Sequence, residues 1–583
     1  MRLSASLFML LAAFMNGAAP GAAHGAEDER FAEFVDKTLD RYWQLNPEGA
    51  FAAGYYKYAD RASVPDAAAR AEQLEFDADS LAALSRFDPK RLGTANRIDW
   101  VLLRNKFESD QWYTNVFRDW QWQPSHYNVG DSFARQLNAE YAPFDVRLKD
   151  MLARLQSVPA YYAAAKANIE NPTLEDTTIA LDQNQGALGV FNDELVKSVD
   201  ASKLSRSDKA LFVTRITAAK AAILGYVAFL TDLKARLEVG GARSFRIGKE
   251  LYAQKFAFDI QSGYTVDQLY RMAKAEKAGL HERMELMARV LWPKYLGSAR
   301  MPNDRLDLID AVIAELSKHH TAPRKFVETV RKQIPELEKF VRDHDIVDQD
   351  PTRPLIVRET PLYQRGFAGA GVDAPGPYDP TANTYYNVTP LDDYTPERAE
   401  SFLREYNDWT LQVLNIHEAV PGHYVQLVHA NKAKSLVKSL FGNGAMIEGW
   451  AVFGERAMLD AGYGGNTPEM WLTWMKWNLR AVCNTIIDVE IQTGDLTREQ
   501  LVRFLTREAF QSQTEAEEKW RRATLSQVQL VSYYNGYAEI TALRDDEKAR
   551  LGKDFSVKGF NNRFLSFGSA PVRYIRELMR EGE

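Results

Sequence analysis

Cysteine is almost absent from this chain of 583 residues, which contains only Cys483. An intramolecular disulfide is therefore excluded, and the stability of the fold must come from burial of apolar side chains. Cys483 lies in NLRAVCNTIID, an apolar stretch with a helical pattern. This setting favours a buried, inert thiol over a nucleophile.

Runs of basic residues are also lacking. Lys and Arg total 72 against 79 Asp and Glu, which gives a net charge of −7. Because nucleic acids are bound through clustered Lys and Arg, we predict no nucleic-acid partner. The composition is that of a large globular protein, with 45% hydrophobic and 26% charged residues.

The apolar run near the N-terminus, over residues 7–15, is too short to span a bilayer. It follows a basic residue and precedes a stretch of small residues, a pattern typical of secretory signal peptides. We predict a signal peptide over 1–25, cleaved near Ala23, Gly25 or Ala26; the alternative is an apolar helix retained in the fold. Since no cysteine lies there to carry a lipid, we expect a secreted or periplasmic protein without a membrane span.

Most of the remaining chain repeats apolar residues with a helical period, most clearly over 209–237, 266–290 and 323–344. We therefore predict a mainly α, multi-helix fold. The glycine pair Gly240–Gly241 is the best boundary candidate. It divides the mature chain into an N-terminal helical region, 27–240, and a second helical region, 241–583, which would carry the catalytic site.

Strand patterns are sparse and lie between residues 354 and 389. The runs PLIVRET and TANTYYNVT are prone to form strands and are separated by a loop rich in Gly and Pro, GFAGAGVDAPGPYDP. We predict a small hairpin beside a cleft, where an extended peptide could pair with its edge. The alternative is a surface excursion without a role.

The motif NIHEAVPGHYVQ, residues 415–426, follows directly on this segment. Helix-start residues precede it, with Thr395 as N-cap and Pro396 at the first helical position. The apolar face of that predicted helix leads on to His417. Glu418 lies about 100° further round the helix, within reach of a water beside a metal.

The two histidines of this motif are spaced unusually. In H-E-x-x-H zinc sites they are four residues apart on one helical face, with the glutamate as general base. His417 and His423 are six apart, which on an unbroken helix separates them by roughly 240°. Pro421 and Gly422 provide a bend that could bring the imidazoles together. The alternative is a helix that simply ends at Val420, with His423 starting the next one.

A third ligand is available in GNGAMIEGWAVFGERAML, where Glu448 and Glu455 lie on one apolar helical stripe. Buried carboxylates are costly unless a cation or hydrogen-bond donors compensate them. We predict that Glu448 is a metal ligand and that Glu455 orients a ligand histidine from outside. A salt bridge to arginine is the alternative for either acid alone.

Two histidines and a glutamate leave a coordination position open, as in catalytic zinc sites. We therefore predict Zn²⁺ as cofactor, Glu418 as general base and hydrolysis of an amide bond as the reaction. The oxyanion formed would need donors. QLVSYYNGYAEI offers Tyr533, Tyr534 and Tyr537, and EKWRRATLS offers Arg521 and Arg522, although single tyrosines more often pack in cores.

With these residues in place, the chain resembles the bacterial domain of unknown function 885 family. The family motif H-E-x-x-P-G-H-x-x-Q is matched from His417 to Gln426, its E-G-W-A segment at Glu448–Ala451, and its S-Y-x-x-G element at Ser532–Gly536. The resemblance extends from about residue 30 to the C-terminus. The chain departs from the family pattern at Gln492 and Asn561, where histidines are expected.

The resemblance implies a helical, metallopeptidase-like fold similar in style to the gluzincin peptidases. It further implies that Tyr533 stabilises the transition state and that Arg522 holds a substrate carboxylate, and we place Gln426 with Glu455 outside the ligands. We therefore predict a zinc metallopeptidase acting on short peptides. Two alternatives stay open: an amidohydrolase of cell-wall peptides or amino-acid conjugates, and a divergent member that binds ligand without turnover.

Overall fold

The structure is a computed structural model that describes residues 20–360 and 370–580. Most of the predicted signal peptide, 1–25, lies outside the described residues. The first described helix, α1, begins at Pro20. Helices make up 72% of the described residues, and the strands among them form one small sheet, so the predicted mainly α fold with a small β element is confirmed.

The helices follow the predicted periodic segments closely. The predicted helices 209–237 and 266–290 correspond to the helices Arg206–Val239 and Val266–Tyr295, and the predicted helix 323–344 corresponds to a 3-10 turn followed by the helix Phe326–Asp343. The helices before the sheet are α1 (Pro20–Leu45), α2 (Pro47–Ala52), α3 (Ala67–Leu84), α4 (Thr94–Trp112), α5 (Asp119–Trp122), α6 (Gly130–Asn138), α7 (Phe144–Leu155), α8 (Val158–Asn168), α9 (Leu174–Ala187), α10 (Asp193–Ala201), α11 (Arg206–Val239), α12 (Gly248–Asp259), α13 (Val266–Tyr295), α14 (Arg305–Leu316) and α15 (Phe326–Asp343). The helices after the sheet are α16 (Pro396–Glu405), α17 (Thr410–Glu418), α18 (His423–Ala430), α19 (Leu436–Leu440), α20 (Gly444–Asp460), α21 (Pro468–Thr493), α22 (Arg498–Glu508), α23 (Gln513–Leu525), α24 (Ser532–Leu551), α25 (Val557–Leu565) and α26 (Val572–Arg580).

The described residues of the predicted regions 27–240 and 241–583 form two large hydrophobic cores and a small one. The predicted boundary falls where α11 ends, and Gly240 and Gly241 both adopt positive φ. Most buried residues between Phe31 and Trp122 share one core with residues 247–579, whereas residues 127–237 enclose a second core. A small third cluster is formed by Leu39, Trp43, Ala50 and Tyr58, and Leu436 and Phe441 pack against it. The N-terminal helices therefore pack against helices that follow Gly241.

Helix α11 is long and apolar enough to cross a membrane, the single helix of the described residues that meets this criterion. One of its faces, which includes Phe212, Ile223 and Tyr226, is buried in the second core. Arg215 and Lys220 also interrupt its length. Burial of the apolar face favours a core helix.

The sheet contains one strand that the sequence did not predict. Its strands are β1 (Leu355–Glu359), β2 (Ala370–Asp373) and β3 (Thr384–Val388), in the order β1-β3-β2. β1 is parallel to β3, with Val357 opposite Tyr386, and β2 is antiparallel to β3. The predicted hairpin between the first and third strands is therefore wrong, because these two strands are parallel. Part of the Gly- and Pro-rich loop that connects them in sequence forms β2.

The helix predicted to run from Thr395 to His417 is interrupted. Thr395 caps α16 as predicted, but α16 ends at Glu405 and α17 begins at Thr410. The side chain of Asn407 accepts the backbone N–H groups of Trp409 and Thr410 at 3.1 Å. Such side-chain bonds to the backbone compete with helix continuation, which explains the break.

Candidate metal centre

The corner between α17 and α18 brings the two histidines of the motif together. α17 ends at Glu418, α18 begins at His423, and the N–H of Gly422 donates to the carbonyl of Ile416 at 3.0 Å. A Cβ on Gly422 would lie 1.8 Å from the carbonyl oxygen of His417, so only glycine fits there. The helix therefore does end, as the alternative interpretation expects, yet the imidazole centroids are 4.7 Å apart.

Glu448 joins the two imidazoles from α20. The Nε2 atoms of His417 and His423 lie 3.5 and 3.4 Å from the same oxygen, Oε2 of Glu448. Asn443 fixes the start of α20, because its side chain accepts the N–H of Met446 at 2.9 Å and also donates to the carbonyl of Ile260 at 2.9 Å. The structure therefore places the three predicted ligands around one point.

The geometry of this trio fits a divalent metal. Two ligand atoms about 2.0–2.1 Å from a tetrahedral zinc lie roughly 3.3–3.4 Å apart, close to the separations observed here. Glu448 Oε2 is buried without a hydrogen bond, an arrangement that a cation would compensate. One ligating atom of Glu418 also lies within 4.8 Å of the imidazole nitrogens. Glu448 is the better ligand, since its oxygen lies close to both nitrogens.

Electrostatics couples the three side chains strongly. Burial opposes the charged imidazolium, but Glu448 and Glu455 raise the pKa of His417 to about 10. Burial also opposes ionisation of Glu448, yet the two imidazoles hold its pKa well below the usual range. Without a metal the cluster therefore retains a proton on His417 beside an ionised Glu448, and a metal would take the place of that proton.

Glu455 of α20 orients His417, as predicted. Its Oε1 lies 2.7 Å from Nδ1 of His417 and accepts the indole N–H of Trp477 at 3.0 Å. Carboxylates in this position fix the ring and its tautomer, which leaves Nε2 free to bind a metal. Trp477, on α21, was not predicted from the sequence. Nothing in the local pattern distinguishes it from the other tryptophans of the chain.

Glu418 stands beside the trio rather than within it. Burial raises the pKa of its carboxyl, and the neighbouring imidazoles and a hydrogen bond from the backbone of Val372 lower it. Val372 belongs to β2, so the small sheet does contact the candidate centre. A carboxylate with a raised pKa that is close to a metal position suits proton transfer.

Helix α24, which carries Tyr533, packs closely against α20, which carries Glu448. Helices α20 and α24 approach closely at two glycines: a Cβ on Gly536 would lie 1.7 Å from the carbonyl oxygen of Ala445, and one on Gly449 would lie 2.3 Å from the backbone of Gly536. This contact explains the glycines of both family segments, since Gly449 follows Glu448 and Gly536 lies one turn after Tyr533.

The contacts of the Tyr533 hydroxyl suit it to donate a hydrogen bond. Arg522 donates to its oxygen at 3.0 Å and also to Gln529 at 2.8 Å. Burial and the negative charge of Glu448 raise the pKa of Tyr533, so the hydroxyl keeps its proton near neutral pH. Within the described part of the chain that proton has no acceptor, so it is available to a third group such as a substrate oxygen.

The other candidate donors point elsewhere. Arg521 forms an exposed ion pair with Asp182 of α9 at 3.3 Å. Tyr534 is buried in the core, and Tyr537 lies beside Arg456. Of the five tyrosines and arginines proposed from the sequence, the structure brings Tyr533 near Glu448 and Arg522 into contact with Tyr533.

Gln426, predicted to support the ligands, contacts a different part of the framework. Its amide donates to Ser569 Oγ at 2.9 Å, and the carbonyl of Ser569 accepts the N–H of Asn443 at 2.7 Å. Gln426 hydrogen-bonds to none of the three ligands among the described residues. Its contact with the metal centre is indirect, through the start of α20.

The two departures from the family pattern also lie in the framework. Gln492 is fully buried and donates to the carbonyl of Ala523 at 2.8 Å, next to Arg522. Asn561 is buried and donates to the carbonyl of Ile346 at 2.8 Å. Both amides hold backbone segments, and the arrangement of His417, His423 and Glu448 is intact.

Comparisons with known proteins agree with the resemblance drawn from the motifs. The family described as "Bacterial protein of unknown function (DUF885)" matches residues 47–579, and the chain belongs to this family. A candidate lipoprotein of unknown function from Shewanella oneidensis has 51% sequence identity, a TM-score of 0.85, and coverage of 94% of this chain and 100% of its own.

A second solved structure shares the fold at low sequence identity. This candidate lipoprotein from Colwellia psychrerythraea has 15% identity, a TM-score of 0.75, and coverage of 94% of this chain and 98% of its own. No curated protein matches the chain.

Proposed function

We propose that this protein is a zinc metallopeptidase that hydrolyses amide bonds of short peptides. The observation that carries the proposal is the approach of two imidazole nitrogens to one oxygen of Glu448, with Glu418 at the side of the trio. Two histidines and one carboxylate are the ligand set of open, catalytic zinc sites. A zinc ion held by them would polarise the substrate carbonyl and lower the pKa of a water.

The protein side chains divide the proton transfers between them. Glu418 accepts a proton from the attacking water and delivers it to the leaving amine. Tyr533 donates its hydroxyl proton in a hydrogen bond to the carbonyl oxygen as negative charge develops there. Arg522 strengthens that donor, because its guanidinium already donates to the phenol oxygen. Glu455 keeps His417 from rotating.

Metal binding tests the first part of this proposal. We expect the purified protein to bind about one zinc ion per chain at the open site. His423→Ala should weaken zinc binding more than about 100-fold, since loss of even outer hydrogen-bond partners costs about 10–100-fold. Competition with a chromophoric chelator measures the affinity.

The matched control is His429→Ala on the same helix. The imidazole of His429 contacts the carbonyl of Asp348 and takes no part in the trio. We expect this variant to retain the zinc affinity of the parent. Equal affinities for parent and His423→Ala would remove the proposed centre.

Tyr533→Phe tests the oxyanion donor. Loss of one such donor lowers kcat by about 10²–10³-fold, and we expect zinc content and substrate binding to be unchanged. Steady-state rates on a cleaved peptide give kcat and KM separately. Tyr270→Phe, which removes a phenol that donates to Glu490, serves as the control. A rise in KM alone would assign Tyr533 to substrate binding.

We also propose that the protein acts in the cell envelope or outside the cell. The similar protein from Shewanella oneidensis is a candidate lipoprotein. This chain has a single cysteine, Cys483, which is buried in α21, and its N-terminal pattern is that of a secretory signal. Export with cleavage near residue 25, measured by N-terminal sequencing of the exported protein, is the expected result.

A further inference from the structure

Lys519 is a buried basic side chain for which the described residues provide no partner. It lies on α23 with 5% of its surface exposed. Its ammonium makes no hydrogen bond and no ion pair within the described part of the chain, although Glu515 lies near enough to favour its charge. Buried lysines are rarely left unpaired, because the charged form loses its hydration.

Arg522 lies one helical turn beyond Lys519 and also lacks an acidic partner among the described residues. Residues three apart on a helix are neighbours on its surface, so the two cations share one face of α23. Arg522 donates to Gln529 and to the phenol of Tyr533, and Tyr533 in turn faces Glu448. This face of the helix therefore borders the candidate metal centre.

The nearby acids are already occupied. Glu515 forms an ion pair with Arg480 at 2.8 Å. Glu405 forms one with Lys476 at 2.9 Å and lies 3.9 Å from Arg480. Burial and the positive charges of Arg480 and Arg522 lower the pKa of Lys519 strongly. The basic side chains of this region outnumber its carboxylates, and an anion bound beside Lys519 would let it hold its charge.

We propose that Lys519 and Arg522 form a two-cation site for a carboxylate of the substrate. The proposal rests on the proposed function and deepens it, because it names the substrates as peptides with a free carboxylate near the bond to be cleaved. The carboxylate could be the C-terminal group of the peptide or an acidic side chain. The exposed Arg522 would bind the carboxylate on the solvent side of the site. The buried Lys519 would neutralise its charge from the protein interior.

Binding of matched peptides tests this site without any need for turnover. The probes are an N-acetylated tripeptide with a free C-terminus, its C-terminal amide, and the amide carrying one glutamate side chain. Calorimetry with the zinc-loaded Glu418→Gln protein gives the affinities. We expect the free acid to bind at least about 10-fold more tightly than the plain amide, the range of a charge-assisted hydrogen bond.

Lys519→Met should remove this preference by weakening the free acid alone, and Lys519→Arg should restore part of it. Lys548→Met, which removes an exposed lysine of α24, should keep the full preference. Tight binding of the glutamate-containing amide would support the same site with a side chain as the source of the carboxylate.

Three results would overturn the proposal. Equal affinities for acid and amide in the parent would exclude a carboxylate site, and a preference that survives Lys519→Met would exclude Lys519 from it. If Lys519→Met weakens acid and amide equally, the lysine has only a structural role. Since calorimetry requires neither zinc nor cleavage, repeating the titration on zinc-free protein separates failure of this site from failure of the proposed peptidase activity.

Discussion

Replacing Glu418 by Gln is expected to slow peptide hydrolysis about 10²–10⁴-fold, the range typical of a lost general base. The amide keeps the size of the side chain but cannot accept the proton of the attacking water. The ligand atoms of His417, His423 and Glu448 are unchanged by the substitution, so zinc content should stay at the parent level. The expected result is thus a protein that still binds metal and substrate and turns over slowly.

A peptide library analysed by mass spectrometry, with zinc content measured on the same samples, checks this expectation. Glu397→Gln removes an equal charge from an exposed position of α16 and should leave cleavage intact. Cell-wall peptides and amino-acid conjugates belong in the substrate set, because the motif does not distinguish them from linear peptides. Undiminished cleavage by Glu418→Gln would contradict the assigned base, and ligand binding without any turnover by the parent would favour a binding protein.

The residues that meet at the candidate centre could be predicted because their information is local. His417, Glu418 and His423 lie within one motif, and the residues that bend it, Pro421 and Gly422, lie between them. Glu448 was predictable for a different reason: a carboxylate on an apolar helical stripe requires a compensating partner. Chemical type and spacing along the chain were sufficient for these residues.

Residues that meet only in the folded protein could not be predicted in this way. Val372 contacts Glu418 through its backbone, which any residue type could supply, and its strand lies in a stretch whose glycines and prolines indicate a loop. Trp477 reaches Glu455 from another helix. Lys519 adjoins the arginines suggested as donors, yet a single lysine in a charged helical run indicates an exposed face until its burial is known.

The same limit explains the interpretations that failed. A helical period continues from Thr395 to His417, but the capping bonds of Asn407 stop the helix, and periodicity does not detect them. Gln426 follows His423 at the spacing of a helix neighbour, but its amide turns toward Ser569, a residue far along the chain. Tertiary contacts outweigh local pattern in both cases.

Replacing Gly422 by Ala is expected to disrupt the centre, although the change adds only one methyl group. The new Cβ would lie 1.8 Å from the carbonyl oxygen of His417 and 2.4 Å from that of Ile416. These atoms belong to the backbone of α17, so the clash cannot be relieved by rotating a side chain. Overpacking commonly costs about 1–3 kcal/mol, and we expect a loss of about 3 kcal/mol in the free energy of unfolding.

The functional effect should exceed the effect on stability. Separation of α17 from α18 moves the imidazoles apart, so zinc affinity should fall more than about 100-fold. This loss exceeds the one expected when a hydrogen-bond partner of a metal ligand is removed. Gly444→Ala is the matched control: it lies at the start of α20, a Cβ there meets nothing within 4 Å, and both stability and zinc affinity should remain near those of the parent. Chemical denaturation of the metal-free proteins and chelator competition measure the two quantities separately. If Gly422→Ala bound zinc as tightly as the parent, the close corner between α17 and α18 would not be what joins the two histidines in one centre.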